Sequence, residues 1–349
     1  MIPQPISIQQ LKKADPWQIE LQKAFTHPLE LLNHLNIKQA NQGILFPDYD
    51  LSQNFKTKVP KSFAALMQTQ TPDDPLLLQV LPLKAENGII PGFEVDPLKE
   101  NNPKTNPLPG LLHKFSSRVL LTLTGACAVH CRYCFRRHFP YQENTPGLKN
   151  IDAIITYIQK HPCINEIILS GGDPLSAHDA YLNLVFDKIK ALTQIKTIRL
   201  HTRFPIVIPQ RITPELAALF KKTSEFGLKI VMVLHCNHPN ELSPQLASYL
   251  ALIQPFVTLL NQSVLLKNIN NSAHTLISLS EKLFQWGILP YYLHQLDKVT
   301  GSHHFEVELT EAKKIVQTLH QALPGYLVPR FVQEVPGLAS KYPIHCFTL

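Results

Sequence analysis

The chain has 349 residues, of which 44% are hydrophobic, and 33 basic and 26 acidic side chains give it a net charge of +7. This length is sufficient for one large α/β domain with an appendage, and no apolar run reaches the roughly 20 residues that a membrane-spanning helix needs. The basic residues are scattered rather than clustered, so we expect no nucleic-acid partner, and we expect no membrane partner. The N-terminus lacks the pattern of a signal peptide, and the six cysteines do not suggest a disulfide framework. We therefore expect a cytoplasmic protein.

The first hundred residues are predicted to form a helical N-terminal extension that ends in an irregular strap. Apolar residues recur at helical spacing between Trp17 and Leu35 with a break at Pro28, and a second short helix is predicted at 60–67. Prolines between Pro91 and Pro109 indicate an extended connection. We therefore predict two domains, with residues 1–100 as the extension and strap and residues 101–349 as the main domain.

From residue 119 onward, short apolar runs alternate with amphipathic helical patterns. The alternation predicts strands at 119–124, 166–170, 197–202, 229–235, 257–266 and 289–296, and helices at 151–160, 179–192, 214–226, 244–254, 273–286 and 311–322. Thr213 and Ser243 each precede a proline where a helix is predicted to start, and Gly287 is a predicted helix stop. Six β–α units in series predict an α/β fold with a parallel sheet.

Polar residues follow the predicted strands at their C-terminal ends. In βα barrels the chemistry collects at the C-terminal ends of many strands, around one mouth. This pattern favours a barrel of six β–α units over an open, doubly wound sheet, although the periodicity alone does not separate the two. The polar residues concerned are Cys127, residues 170–173, 201–203, His235, residues 261–263 and residues 294–297.

Three cysteines, Cys127, Cys131 and Cys134, follow the first of these strands and are separated by three and by two residues. Thiolates are the usual ligands of iron–sulfur clusters, and three of them leave one iron of a four-iron cluster without a protein ligand. A structural zinc site is an alternative, with His130 or His138 as the fourth ligand. A disulfide is a further alternative, but it leaves one cysteine unpaired.

The spacing Cys-x3-Cys-x2-Cys resembles the radical S-adenosylmethionine (SAM) superfamily, in which the free iron of a [4Fe–4S] cluster binds SAM. The turn Ser170-Gly171-Gly172-Asp173 follows the next strand, and its glycines allow close approach of the backbone to a ligand, which its free amides and carbonyls can bind. This turn resembles the superfamily's site for the SAM amino group. The resemblance implies a partial (β/α)6 TIM-type barrel of the radical SAM type.

Five further segments are similar, in one order, to the lysine 2,3-aminomutase family. They are PGLLHKF at 109–115, CRYCFRRHF at 131–139, RLHTR at 199–203, NQSVLL at 261–266 and YYLHQLD at 291–297. The family resemblance runs from about residue 90 to the C-terminus and implies an aminomutase that uses pyridoxal 5′-phosphate (PLP), SAM and a [4Fe–4S] cluster to convert L-lysine to β-lysine.

The resemblance also implies roles for individual residues. Lys341 matches the lysine that holds PLP as a Schiff base, Arg118 matches the arginine that binds the PLP phosphate, and Gln262 matches a residue that contacts SAM. From the sequence alone, without the resemblance, a solvated surface lysine is the favoured interpretation of Lys341.

The substrate has a charge at each end, and the resemblance implies an anchor for each. Arg136 matches the arginine that pairs with the substrate carboxylate, and Asp297 matches a carboxylate that holds the distal ammonium of lysine. The lysine enzymes of the family have a second aspartate seven residues before the PLP lysine. Here that position is Glu334, whose side chain is longer by one methylene.

The preamble and the short C-terminus most resemble the family members that supply β-lysine for modification of elongation factor P, which implies a functional link to an elongation factor P lysine ligase. Ser272 stands where longer members have a cysteine for an intersubunit zinc site, so we expect no such zinc and leave the oligomeric state open. The alternatives are an aminomutase acting on another cationic amino acid such as arginine, or a non-catalytic iron–sulfur or RNA-binding protein. Glutamate is disfavoured as a substrate because Asp297 and Glu334 repel its distal carboxylate.

Overall fold

The computed structural model describes residues 15–37, 49–50, 55–146 and 148–347. The N-terminal residues on which the signal-peptide prediction depends lie outside this part of the chain. Within it, no helix is both long and apolar enough to cross a membrane.

A sheet of nine strands, hydrogen-bonded in chain order from β1 to β9, forms the centre of the fold. Strands β2 to β8 are parallel, and β1 and β9 add antiparallel edges at the two ends. Since β1 and β9 are not neighbours in the described sheet, the sheet curves without closing. The strands are β1 Leu111–Phe115, β2 Arg118–Thr124, β3 Glu166–Gly171, β4 Thr197–Thr202, β5 Lys229–His235, β6 Val257–Val264, β7 Leu289–His294, β8 Arg330–Gln333 and β9 Tyr342–Pro343.

Six long helices connect the parallel strands, so that each strand from β2 to β7 is followed by a helix. The protein is therefore a partial (β/α)6 TIM-type barrel. The helices are α1 Pro16–Gln22, α2 Pro28–His34, α3 Lys61–Ala64, α4 Leu148–Gln159, α5 Asp179–Lys190, α6 Phe204–Val207, α7 Pro214–Glu225, α8 Pro244–Ala251, α9 Ala273–Gln285 and α10 Leu309–Ala322.

The six predicted strands and six predicted helices of the main domain are confirmed to within a few residues. The sequence pattern missed β1, β8 and β9. Strands β8 and β9 have only four and two residues, and no change in hydrophobic periodicity separates β1 from the loop before it. Thr213 caps α7 by accepting a hydrogen bond from the backbone N–H of Leu216. Ser243 is the N-cap residue of α8, which confirms the predicted helix start, although its side chain makes no capping hydrogen bond. Gly287 adopts φ +71° just after α9, as a helix stop requires.

The hydrophobic core is continuous between the N-terminal extension and the barrel. Trp17, Leu31 and Phe63 of the extension belong to the same buried cluster as Ile167 and Leu200 of the sheet. Removing the extension therefore exposes barrel core to water, which fixes the extension against the barrel. The division into two domains at residue 100 stays a prediction.

Candidate active site

A cavity of about 1020 Å³ runs through the barrel, and every site residue predicted from the sequence lines it. Cys127 lies just beyond the end of β2, whereas Arg118 is the first residue of that strand. Because a strand rises about 3.3 Å per residue, the cavity extends for roughly 20 Å along β2. The predicted residues in its wall are Arg118, Cys127, Cys131, Cys134, Arg136, Ser170, Gly171, Gly172, Asp173, Gln262, Asp297, Glu334 and Lys341.

The cysteine loop is held from outside by the N-terminal extension. The backbone N–H of His130 donates to the carbonyl of Lys58 at 3.0 Å, and that of Arg132 donates to the carbonyl of Gln79 at 2.9 Å. The Lys58 ammonium also donates to the carbonyl of Cys127 at 2.9 Å. These bonds fix the loop backbone where it carries the three thiols.

A buried ion triad strengthens this attachment. Glu86 of the extension pairs with Arg132 through both carboxylate oxygens and with Arg137 at 2.6 Å. Both guanidinium groups also lie over the ring of Phe55, at 4.8 and 4.6 Å from its centroid. Because the two arginines flank the last cysteine, Cys134, one carboxylate fixes the end of the loop.

The three thiols fit the chemistry of an iron–sulfur cluster. Cys127, Cys131 and Cys134 are unpaired and line one cavity. A cluster binds each thiolate at a separate iron. Burial raises the pKa of Cys134 to about 11, helped by the neighbouring Cys131, so metal binding must displace its proton.

The turn at residues 170–173 packs against the cysteine loop. The amides of Gly172 and Asp173 donate to the carbonyls of Thr124 and Ala126 at 2.7 and 2.8 Å, so the prediction that these amides are free for a ligand is wrong. A Cβ on Gly172 would lie 2.4 Å from the Ala126 carbonyl oxygen. The glycine is therefore required for close approach of backbone to backbone.

The carboxylate of Asp173 is also occupied by the fold. It accepts hydrogen bonds from the Thr202 hydroxyl at 2.7 Å, from the amide of Arg203 at 2.8 Å and from two further amides. The side chain thus ties the end of β3 to the end of β4. It lines the cavity, but it has no oxygen without a protein donor.

Five side chains of alternating charge form a continuous chain of ion pairs along the cavity wall. Arg136 pairs with both oxygens of Glu100 at 2.6 and 2.9 Å, and Glu100 pairs with Lys114 at 2.9 Å. Lys114 pairs in turn with Glu334 at 2.9 Å, and Glu334 pairs with Lys341 at 2.6 Å. This series of ion pairs joins Arg136, the predicted anchor for the substrate carboxylate, to Lys341, the predicted PLP lysine.

These pairs set the charge of each group. Burial opposes ionisation of Glu334, but Lys341 and Lys114 outweigh burial and hold the pKa of this carboxyl well below its usual range. Asp297 lacks a cation at hydrogen-bonding distance in the described residues. Burial, together with the negative charge of Glu334, raises the pKa of Asp297 to about 7. Asp297 is thus a carboxylate whose ionisation a bound cation would favour.

The residues assigned to PLP and SAM are also placed where they can meet a ligand. Lys341 lies 5.8 Å from the centroid of the Tyr292 ring. Arg118 stacks over Phe115 at 4.4 Å, and no carboxylate of the described residues pairs with it, so its guanidinium is available to an anion. Gln262 lines the cavity, and its side-chain amide forms no hydrogen bond within the described residues. The Lys341 amine thus fits a reactive carbonyl, the Arg118 guanidinium fits a phosphate, and the Gln262 amide fits a polar group of a nucleoside.

Sequence reasoning missed several residues of the cavity. Glu100 lies in the irregular strap, where no periodicity marks it as buried, and Lys114 lies on the unpredicted strand β1. Burial and Arg199 lower the pKa of His201, and burial and Lys341 lower the pKa of His294 to about 3, so both imidazoles are neutral. The positions of both histidines at strand ends could have placed them at the cavity, but the sequence pattern assigned them no chemical role.

Comparison with known proteins identifies the family. The Radical SAM superfamily model matches residues 121–234. L-lysine 2,3-aminomutase of Escherichia coli (strain K12) is 44% identical over 95% of this chain and 94% of its own length. The enzyme of the same name from Haemophilus influenzae is 43% identical over 95% and 96%, and that from Clostridium subterminale is 31% identical over 94% and 77%. The chain therefore belongs to the lysine 2,3-aminomutase family of the radical SAM superfamily and is an enzyme of the isomerase class.

Proposed function

We propose that this enzyme uses PLP to convert L-lysine to β-lysine by moving the amino group from the α to the β carbon. The observation that carries the proposal is the distribution of charge in the cavity, whose lining includes Arg136 and the two carboxylates Asp297 and Glu334. A substrate with a carboxylate at one end and an ammonium at the other needs both. The names of the similar enzymes support lysine as the substrate.

Arg136 is proposed to bind the substrate carboxylate. Glu100 occupies two of its nitrogens, and the third, Nη1, lies 3.3 Å from the Ser170 hydroxyl. Glu100 therefore fixes the plane of the guanidinium and leaves the Nη1 edge to the substrate. A rigid donor holds its ligand with little loss of side-chain entropy.

Asp297 and Glu334 are proposed to bind the distal ammonium. Glu334 is paired with Lys341 and Lys114, so both of its present partners are lysine ammonium groups. With Lys341 joined to PLP, its ammonium would no longer pair with Glu334, and this carboxylate could accept the distal ammonium of the incoming substrate. The longer reach of Glu334 relative to aspartate is compatible with this exchange.

Lys341 is proposed to hold PLP, and Arg118 is proposed to bind its phosphate. The family's cluster is proposed to be held by Cys127, Cys131 and Cys134. Residues 170–173 and Gln262 are proposed to lie beside the SAM site. When bound, these cofactors supply the one-electron cleavage of SAM and the spin delocalisation that the amino migration requires. The chain's own contribution is to hold the reactants in line and to exclude water and oxygen from the cavity of the partial barrel.

We further propose that the β-lysine serves the modification of elongation factor P through a lysine ligase. This part is supported by the resemblance of the N-terminal preamble to that of those family members. Release of free β-lysine, rather than transfer within a complex, is the expected first step.

The test uses full-length protein prepared anaerobically with PLP. Wild type is expected to show the visible absorbance of PLP joined to a lysine, and Lys341→Ala is expected to lose it. Lys314→Ala, on the exposed side of α10, is the matched control and should retain the band. A band that persists in Lys341→Ala contradicts the assignment of Lys341, and rearrangement of arginine but not lysine contradicts the assignment of the substrate.

A further inference from the structure

We propose that Arg203 is a positioning residue that raises the reduction potential of the iron–sulfur cluster through a hydrogen bond to the sulfur of Cys131. The inference rests on the cluster that the family shares and not on the aminomutase reaction. Its failure would therefore leave the proposed function untouched.

Arg203 follows β4 and extends beneath the cysteine loop. Its Nη1 donates to the Cys131 Sγ at 2.8 Å and to the Tyr133 hydroxyl at 2.8 Å. Its Nη2 donates to Gln79 Oε1 at 2.7 Å and to Glu241 Oε2 at 2.9 Å. Each terminal nitrogen therefore has two acceptors, which fixes the plane of the guanidinium.

The acceptors are themselves fixed. Glu241 has no exposed side-chain surface, and Arg203 is only 6% exposed. The other oxygen of Glu241 accepts from the amides of Asn237 and His238 at 2.9 and 3.0 Å and from Gln79 at 3.1 Å. Because the carboxylate cannot rotate without breaking these bonds, it holds the arginine against the sulfur.

The sign of the effect follows from charge. Reduction adds one electron to the cluster, and part of the added negative charge lies on the cysteine sulfurs. Hydrogen bonds to sulfur are one of the means by which a protein sets the potential of a cluster, and a cationic donor in a buried site stabilises the reduced form more than the oxidised form. Glu241 opposes the arginine's field at longer range, so the two side chains act in opposite directions.

The experiment measures the midpoint potential of the full-length chain after anaerobic reconstitution with iron and sulfide, by redox titration followed by electron paramagnetic resonance without SAM. In Arg203→Gln the equilibrium constant for one-electron reduction should fall about tenfold, which is about 59 mV toward negative potential. Arg211→Gln, which removes another buried arginine with a carboxylate partner, controls for general destabilisation and should leave the potential unchanged.

The inference is overturned if Arg203→Gln retains full iron and has the wild-type potential. Where Arg203→Gln retains too little iron to titrate, Arg203→Lys replaces it, since one ammonium cannot serve both Cys131 and Glu241. Its potential should be more negative than that of wild type. A wild-type potential in Arg203→Lys would assign Arg203 a purely structural role and refute the proposal.

Discussion

Replacing Asp297 by asparagine should remove the pH dependence of lysine binding. The pKa of Asp297 is raised to about 7 by burial and by Glu334, so at pH 6 the neutral carboxyl outnumbers the carboxylate about tenfold. An ammonium ligand requires the carboxylate and must displace that proton. Lysine affinity should therefore be about tenfold lower at pH 6 than at pH 8 in wild type. The Asp297→Asn variant should have no such slope, and at pH 8 it should bind lysine at least about 30-fold more weakly, since a buried ion pair has lost one member.

The assay is calorimetric titration of lysine into anaerobic, PLP-loaded protein from pH 6 to pH 8, without reductant, so that binding is separated from turnover.

The pH dependence of the free energy of unfolding tests the same pKa without substrate. Because the native pKa lies above the unfolded value of about 3.9, this carboxyl favours the native state below pH 4, and that contribution is lost as pH rises through 7. The Asp297→Asn substitution should thus stabilise ligand-free protein at pH 8, by at most about 4 kcal/mol. Equal pH slopes in the two proteins would refute the assigned role.

Two further substitutions test the support of the cysteine loop. Glu86→Gln leaves two buried arginines without their shared carboxylate and should lower the free energy of unfolding, measured in urea, by about 3–5 kcal/mol. The control is Glu94→Gln, which removes a carboxylate from an exposed pair with Lys99. It should lower the free energy of unfolding by less than about 1 kcal/mol. Gly172→Ala places a methyl group against the Ala126 carbonyl and should lower the iron bound per chain after reconstitution, whereas Gly325→Ala, which meets no atom within 4 Å, should not. Equal losses within either pair would contradict the contacts on which it is based.

The alternation of strands and helices was predictable because the parallel strands from β2 to β7 read as short runs of mostly apolar residues between amphipathic helical patterns. The edge strands were not, since β9 has two residues and its pairing depends on contacts distant in sequence. The cysteine loop was likewise recognisable from spacing alone. Its attachment to Glu86 and Gln79 was not, because these residues are about fifty positions away and lie in segments without regular periodicity.

The site residues were found by resemblance, whereas their partners required the structure. Glu100 reads as one acid in an irregular strap, yet it is buried and pairs with both Arg136 and Lys114. The turn at residues 170–173 illustrates the opposite error, since its glycines were read as room for a ligand and instead give room to the cysteine loop. Local sequence therefore predicted which residues line the cavity better than what each one contacts.

The most direct test of the account is incubation of anaerobically reconstituted protein with SAM, PLP, a reductant and L-lysine labelled with ¹⁵N at the α position, followed by mass spectrometry. The account predicts β-lysine that carries the label at the β carbon. It also predicts no product when Cys127, Cys131 and Cys134 are replaced by alanine. Unchanged L-lysine from wild-type protein that holds its full complement of iron and sulfide would contradict it.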